Sequence, residues 1–211
     1  MKLEKDISEL VQIIKDDGLV IIPTDTIYGF SCLPTSNIAV DRINDLKQRG
    51  DKPFIILDTD EYRMRSYFKY AFADKIMREL IDDKVWPGKL TVIADKCSSI
   101  DYPFLSNVDT IAIRYPDNEL IRSLNLKLNS GIVSTSVNGT GEKELNSISE
   151  IKRVWSDKVD HIYEDNTESS SASLIIKINS EFKEIEVVRD PETIESKEIM
   201  SKLDKIVKKC R

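Results

Sequence analysis

Short, unbroken apolar runs constrain this chain most. Leu19-Val20-Ile21-Ile22, Phe54-Ile55-Ile56-Leu57 and Leu90-Thr91-Val92-Ile93 have the length and composition of buried strands. Pro23 closes the first of them, because proline has no N–H to give to a sheet ladder. Between the runs the apolar spacing changes to that of a helix. Leu3, Ile7, Leu10, Val11 and Ile14 predict a helix over residues 3 to 17, with Gly18 placed to end it. Ser36 is placed to cap a second helix that turns Val40, Ile43 and Leu46 inward. The first 57 residues therefore read helix, strand, helix, strand, the pattern of an α/β domain.

The rest of the chain continues in kind. Residues 60 to 85 read as helix in two pieces, with Ile76, Met77, Leu80 and Ile81 toward the core, until Trp86-Pro87-Gly88 breaks the run. Further strands are predicted at 110–115, 132–136, 174–178 and 185–188, with an irregular stretch over 97–109 and a short helix from Glu119 to Leu126. Ser147 and Glu150 have the spacing of a capping box for a helix that reaches Trp155. Residues 164–172 are acidic and serine-rich, the composition of a mobile loop. After Pro191 a last helix shows Ile194, Ile199, Leu203 and Ile206. It ends in Lys205, Lys208, Lys209 and Arg211, which suits the helix dipole. No repeat and no linker divides the chain. Residues 1–190 are read as one domain and 191–211 as a C-terminal helix packed on it.

Composition narrows the function classes. The 211 residues are 40% hydrophobic and 32% charged, which places the chain among globular rather than disordered proteins. No apolar run approaches a membrane span, and the charged N-terminus has no apolar signal region, so a cytoplasmic location is expected. Cys32, Cys97 and Cys210 form neither a zinc pattern nor a disulfide framework, in keeping with a reducing compartment. His161 is the single histidine, which argues against a His-rich metal site and leaves a His-based triad only that one base. A net charge of −6 argues against a surface built for nucleic acid, while a local basic cleft stays compatible with it.

Polar clusters at the ends of the predicted elements are where chemistry could live: Thr24 to Tyr28, Lys47 to Lys52, Thr110 to Arg114 and Ser134 to Gly141, with Ser171 to Ser173 and Arg189 beyond them. In an open α/β sheet such ends converge on one crevice. A turn in which Thr and Asp bond their own backbone accounts for the first cluster equally well. Lys47, Arg49, Lys52, Arg114 and Arg189 suit an anionic ligand, and the hydroxyls and Asn138 suit carboxylates and neutral polar groups. Neither a P-loop nor a dinucleotide glycine motif is present, so a nucleotide would be held by dispersed side chains and turn amides.

Taken in order, the clusters resemble the YrdC/TsaC family, the threonylcarbamoyl-AMP synthases. The family pattern P-T-[DE]-T-x-Y-G matches Pro23 to Gly29, and K-x-R with a nearby K-P matches Lys47-Gln48-Arg49 and Lys52-Pro53. W-P-G matches Trp86 to Gly88, T-x-A-x-R matches Thr110 to Arg114, and S-x-N-x-[ST]-G matches Ser136 to Gly141. Ser173 and Arg189 complete the set. The resemblance implies an open, twisted, mixed parallel and antiparallel sheet flanked by helices, the YrdC-like fold, with a concave active-site face. It implies a reaction in which L-threonine, bicarbonate and ATP give threonylcarbamoyl-AMP and pyrophosphate, for modification of a tRNA adenosine that downstream threonylcarbamoyl-transferase proteins complete. A tRNA contact is compatible with this role.

By the same resemblance Thr26, Arg114, Ser136 and Ser173 take L-threonine, with Arg114 on its carboxylate. Arg49, Lys52, Thr110, Asn138, Asn146 and Arg189 take ATP, Lys47 and Arg49 act in catalysis, and Thr24 and Tyr28 shape the pocket. Mg²⁺ is expected on the triphosphate, with no protein metal site. The chain departs from the family at Gly50, where proline is usual, at Leu57, where some relatives have histidine, and at Arg189-Asp190-Pro191, where R-P-G is usual. Two alternatives stand beside the synthase: a paralogue with the fold but without this activity, and an RNA-binding module that uses the basic concave face. The net charge and the scarcity of aromatic residues near the basic positions weigh against the second.

Overall fold

The computed structural model describes residues 2–48, 54–139, 145, 147–164 and 171–210. In chain order its strands are β1 (Val20–Ile22), β2 (Gly29–Cys32), β3 (Ile55–Leu57), β4 (Leu90–Asp95), β5 (Thr110–Arg114), β6 (Ile132–Ser136), β7 (His161–Ile162), β8 (Leu174–Asn179) and β9 (Glu184–Arg189). Its helices are α1 (Lys2–Lys15), α2 (Asn37–Lys47), α3 (Glu61–Ser66), α4 (Ala71–Asp82), α5 (Glu119–Leu128), α6 (Ile148–Trp155) and α7 (Ile194–Cys210). The strands form one open mixed sheet in the order β7-β1-β2-β6-β3-β5-β4-β8-β9. The β1/β7, β3/β5 and β4/β8 pairs are parallel and the others antiparallel.

Successive residues of a strand face opposite sides, and here the two sides are covered unequally. One side carries Leu19, Ile21, Phe30, Ile56, Ile113, Val92 and Ile176, packed under α2, α4, α6 and α7 in the main core. The other side is covered at one end only. There Val20, Ile22, Leu57 and Ile132 meet Leu10 and Ile14 of α1 and Ile121 and Leu124 of α5. Beyond those two helices Ile55, Ile93 and Ile175 remain half-buried, on the same face as Arg114.

Several sequence expectations change. Residues 23–29 do not lead from a strand into a helix; they turn a hairpin, and Gly29 to Cys32 form the second strand, buried throughout. Pairing with β1 on one side and β6 on the other makes this a strand, against the weak propensity of Gly and Ser. The left-handed residue after α1 is Asp17 (φ 59°), one before Gly18. Gly18 serves close approach instead: its N–H donates to Ile13 O at 2.9 Å, and a Cβ there would lie 2.5 Å from that oxygen. Ser147 precedes α6 as expected but makes no side-chain cap, since its Oγ pairs with Ser149 Oγ at 2.7 Å. Ile194 opens α7 on its outer side, 81% exposed, while Ile199, Leu203 and Ile206 are buried in the core shared with α4. Lys75 of α4 donates to the Lys209 and Cys210 carbonyls, which closes the C-terminal end of α7.

Candidate active site

The open half of the sheet face holds a cavity of about 360 Å³. Its floor follows from register. Arg114 lies across from Thr91 and Leu57, Ala112 from Ile93 and Ile55, and Ile55 from Ser134. Of the residues expected in the site, Thr24, Thr26, Tyr28, Arg114, Ser136, Ser173 and Arg189 all line this one cavity, drawn from the hairpin loop, β5, β6, the residue before β8, and β9. Leu57, where some relatives are expected to carry histidine, also lines it and is 1% exposed.

The hairpin loop is built by its own hydroxyls. Thr24 Oγ1 accepts from the Thr26 and Ile27 N–H groups at 3.0 and 3.2 Å and donates to Ile27 O at 2.8 Å. That leaves Thr26 as donor to Thr24 Oγ1 at 2.9 Å, while Thr26 Oγ1 accepts from Arg114 Nη1 at 2.8 Å. Arg114 Nη2 forms an ion pair with Asp25 Oδ1 at 3.0 Å. The Arg114 side chain is 5% exposed and that of Asp25 7%. Burial pushes the Asp25 carboxyl above its ordinary range, with the Arg114 charge acting against that rise. Burial lowers the Arg114 pKa; the Asp25 charge opposes the fall and the nearby Arg189 charge adds to it. The end of β5 is anchored from behind as well. Asp58 N–H donates to Arg114 O at 3.1 Å, and the fully buried Asp58 carboxylate accepts from Arg63 Nε and Nη2 at 2.7 and 2.6 Å and from Tyr67 Oη at 2.7 Å.

Across the cavity, Arg189 Nε and Nη2 donate to Ser173 O at 3.1 and 2.9 Å, and Nη2 reaches Ser173 Oγ at 3.2 Å. Thr91 Oγ1 and Ser173 Oγ are 2.8 Å apart. Two guanidinium groups and a set of hydroxyls thus face the space, and among the described residues no carboxylate lines it. That donor set fits an anion and offers no cage to a divalent cation. Among the described residues no group of three His, Cys, Asp or Glu side chains is placed to hold a metal ion.

Lys47, expected to be catalytic, lies beside the cavity rather than in its wall. It is 4% exposed, and its ammonium donates to Ser136 O at 2.5 Å, Asn138 O at 2.9 Å and Asn138 Oδ1 at 2.8 Å. Ser136 Oγ donates to the same Asn138 oxygen at 2.6 Å. Lys47 therefore ties the end of α2 to the turn after β6. Thr110 lines a second cavity of about 450 Å³ with Asp95, Lys177 and Asn179, further along the same strand face. Arg49, Lys52 and Asn146, and most of the loop at 164–172, lie outside the described residues.

Sequence reasoning missed Thr91, the Asp25–Arg114 pair and the Asp58 cluster. A single threonine inside the apolar run Leu90 to Ile93 was the available signal for the first. The Asp25–Arg114 pair joins the hairpin loop to β5 and leaves no local pattern, whereas Asp58, Arg63 and Tyr67 lie within nine residues of one another and were a local signal that went unread.

A family model described as telomere recombination, spanning Sua5, YciO and YrdC, matches residues 12–190. The chain belongs to this family. A threonylcarbamoyl-AMP synthase from Idiomarina loihiensis is 29% identical over 151 residues, 71% of this chain and 81% of that protein. The crystal structure of P. abyssi Sua5 complexed with L-threonine superimposes with a TM-score of 0.73 at 26% identity, over 82% of this chain. The match spans about half of that longer protein, 51% of its chain. E. coli YciO shares the fold, with a TM-score of 0.77 at 23% identity over 88% of this chain and 89% of its own. No helix among the described residues is long and apolar enough to cross a membrane.

Proposed function

We propose that the chain is an L-threonylcarbamoyladenylate synthase, which joins L-threonine, bicarbonate and ATP and releases pyrophosphate. The observation that carries this reading is the cavity wall itself. It combines two guanidinium groups, Arg114 and Arg189, with the hydroxyls of Thr26, Thr91, Ser136 and Ser173, and among the described residues no carboxylate lines it. The L-threonine complex of P. abyssi Sua5 and the name of the Idiomarina relative support the choice of substrate.

In this reading Arg114 forks onto the threonine carboxylate, with Thr26, Ser136 and Ser173 around the amino acid. The threonine nitrogen and bicarbonate form a carbamate with loss of water. A carbamate oxygen attacks the α-phosphorus of ATP, the bond to the β-phosphate oxygen breaks, and pyrophosphate leaves with its electron pair. Such transfers depend on positioning and on stabilising charge at the phosphate oxygens. Arg49, Lys52, Thr110, Asn138, Asn146 and Arg189 serve the nucleotide, and Lys47 and Arg49 the reacting phosphates. Lys47 also holds Asn138 and the Ser136 carbonyl in place. Thr24 and Tyr28 shape the pocket, Thr24 through the hydroxyl chain that ends at Arg114. Mg²⁺ arrives on the triphosphate. The product serves tRNA modification in the cytoplasm, where transferase partners complete the transfer.

The test is pyrophosphate release from ATP with L-threonine or bicarbonate left out in turn, and mass spectrometry of the nucleotide product. Release that needs both, with a threonylcarbamoyl adenylate, is the expected result. Release that ignores threonine would point to another acceptor and overturn the assignment.

A further inference from the structure

We infer that Asp25 is the positioning residue of this site: a carboxylate set behind the cavity wall that, with Thr26, fixes the Arg114 guanidinium in the orientation it presents to a ligand's carboxylate. The inference rests on the proposed reading of Arg114 as the group that takes the amino acid's carboxylate.

Three observations carry it. First, Asp25 does not line the cavity, whereas its neighbours Thr24, Thr26 and Ile27 do, so it acts through another residue. Second, among the described residues the Arg114 guanidinium makes one hydrogen bond, from Nη1 to Thr26 Oγ1 at 2.8 Å, and its Nη2 forms an ion pair with Asp25 Oδ1 at 3.0 Å that falls outside hydrogen-bond geometry. Its buried Nε has no hydrogen-bond partner among the described residues. Loss of the Asp25 charge therefore leaves the guanidinium on the neutral Thr26 hydroxyl, with no opposite charge behind it. Third, Asp25 is itself fixed from the far side: the Asp117 N–H donates to Asp25 Oδ2 at 3.3 Å. The hairpin loop is thereby joined to the chain just beyond Arg114.

Charge points the same way. Arg189 bears on Arg114 with like sign, and Asp25 is the opposite charge that bears on it. Lys89 adds a further positive charge that bears on Asp25. A ligand carboxylate completes the group without displacing Asp25, because Asp25 approaches from outside the cavity. Held charges placed in advance favour binding because little reorganisation remains to be done when the ligand arrives.

The experiment is calorimetric titration of L-threonine and, separately, of ATP into the full chain and into Asp25→Asn, which keeps the shape and removes the charge. A double-mutant cycle with Arg114→Lys accompanies it, and melting temperatures are recorded for every variant. The expected result is L-threonine binding weakened by about tenfold or more in Asp25→Asn, with ATP affinity changed by less than about twofold. In the Arg114→Lys background the same Asn change should alter L-threonine binding by less than about twofold, since its route is gone. Asp25→Glu, which keeps the charge, should bind L-threonine better than Asp25→Asn. Wild-type affinity in Asp25→Asn overturns the inference. So does equal loss of both ligands, additive loss in the Arg114→Lys background, or a Glu variant weaker than the Asn variant. No L-threonine binding by the unmodified chain overturns the substrate reading itself, and the inference with it.

Discussion

Gly29 offers the most direct check on the hairpin and on the cavity floor it borders. It opens β2 between β1 and β6, across from Ile22 and Ser136. A Cβ built there would lie 2.5 Å from Ser134 Oγ, 3.4 Å from Thr135 O and 3.8 Å from Ser134 Cβ. Only the first contact is a clash. Overpacking of a tight site costs about 1–3 kcal/mol, and a serine oxygen that can turn about χ1 puts this case near 1.5 kcal/mol. Alanine recovers about 0.5 kcal/mol because it loses less backbone freedom than glycine in a strand. Gly29→Ala should therefore cost about 1 kcal/mol. In a Ser134→Ala background the clashing oxygen is gone and only ordinary contacts remain, so the same change should be neutral or stabilise by about 0.5 kcal/mol. Urea denaturation of the four proteins, with a common m value, gives the coupling, expected near 1.5 kcal/mol. Equal cost of Gly29→Ala in both backgrounds, within about 0.5 kcal/mol, would refute the assigned packing of β2 on β6.

Lys47→Met should lower stability by about 1–3 kcal/mol, since three acceptors lose their donor, and should abolish pyrophosphate release; an unchanged urea midpoint would remove Lys47 from its place between α2 and the turn after β6. Thr91→Val removes the hydroxyl paired with Ser173 and should weaken L-threonine binding more than ATP binding, read by titration; equal effects on the two ligands would count against the proposed subsite. Asp160 is pushed up by burial but held below its ordinary value overall by hydrogen bonds from Arg42 and the Leu19 N–H and by the Arg42 charge. Its stabilisation is then fully present above the unfolded carboxyl pKa of about 3.9 and is lost as pH falls through the lower folded value. Asp160→Asn should destabilise at pH 7, and the difference from wild type should close at the acid end of a stability-against-pH series; a constant difference down to pH 2 would refute it.

The strands were legible where they are apolar and short, and so were the helices that pack over them. Ile55 and Ile56 show where legibility stops. Both are isoleucine, yet one lines the cavity and the other is sealed under the helices. A strand that is apolar on both faces does not say which face stays open, because that depends on how far α1 and α5 extend over the sheet. Gly29 to Cys32 was missed for a related reason: its strand character comes from neighbours on both sides, such as Ile22 and Ser136, that lie 114 residues apart in sequence, and not from its own side chains. Of the residues the motifs singled out, seven share one cavity. Motif order alone, however, gave neither the Asp25–Arg114 ion pair nor the seat of Lys47 on backbone carbonyls.

The uneven cover of the sheet explains why the site stands where it does and why it needs Asp25. α1 and α5 bury the β1 end of one face, and their cover thins beyond Leu57, the residue across from Arg114, to Ile55, which is only partly buried against that cover. The next side chains along the face are neither sealed in a core nor fully in water. An arginine at that boundary keeps its charge, and burying that cation is costly unless an opposite charge is within reach. Asp25 supplies that charge from the hairpin loop, and so the fold and the site share one interaction. The same pair that lets β5 end in a buried arginine also leaves that arginine's open side facing a cavity lined by hydroxyl groups and by Arg189. A substitution that removes the pair should therefore act on stability and on ligand affinity together, whereas one in the wall, such as Thr91→Val, should act on affinity first.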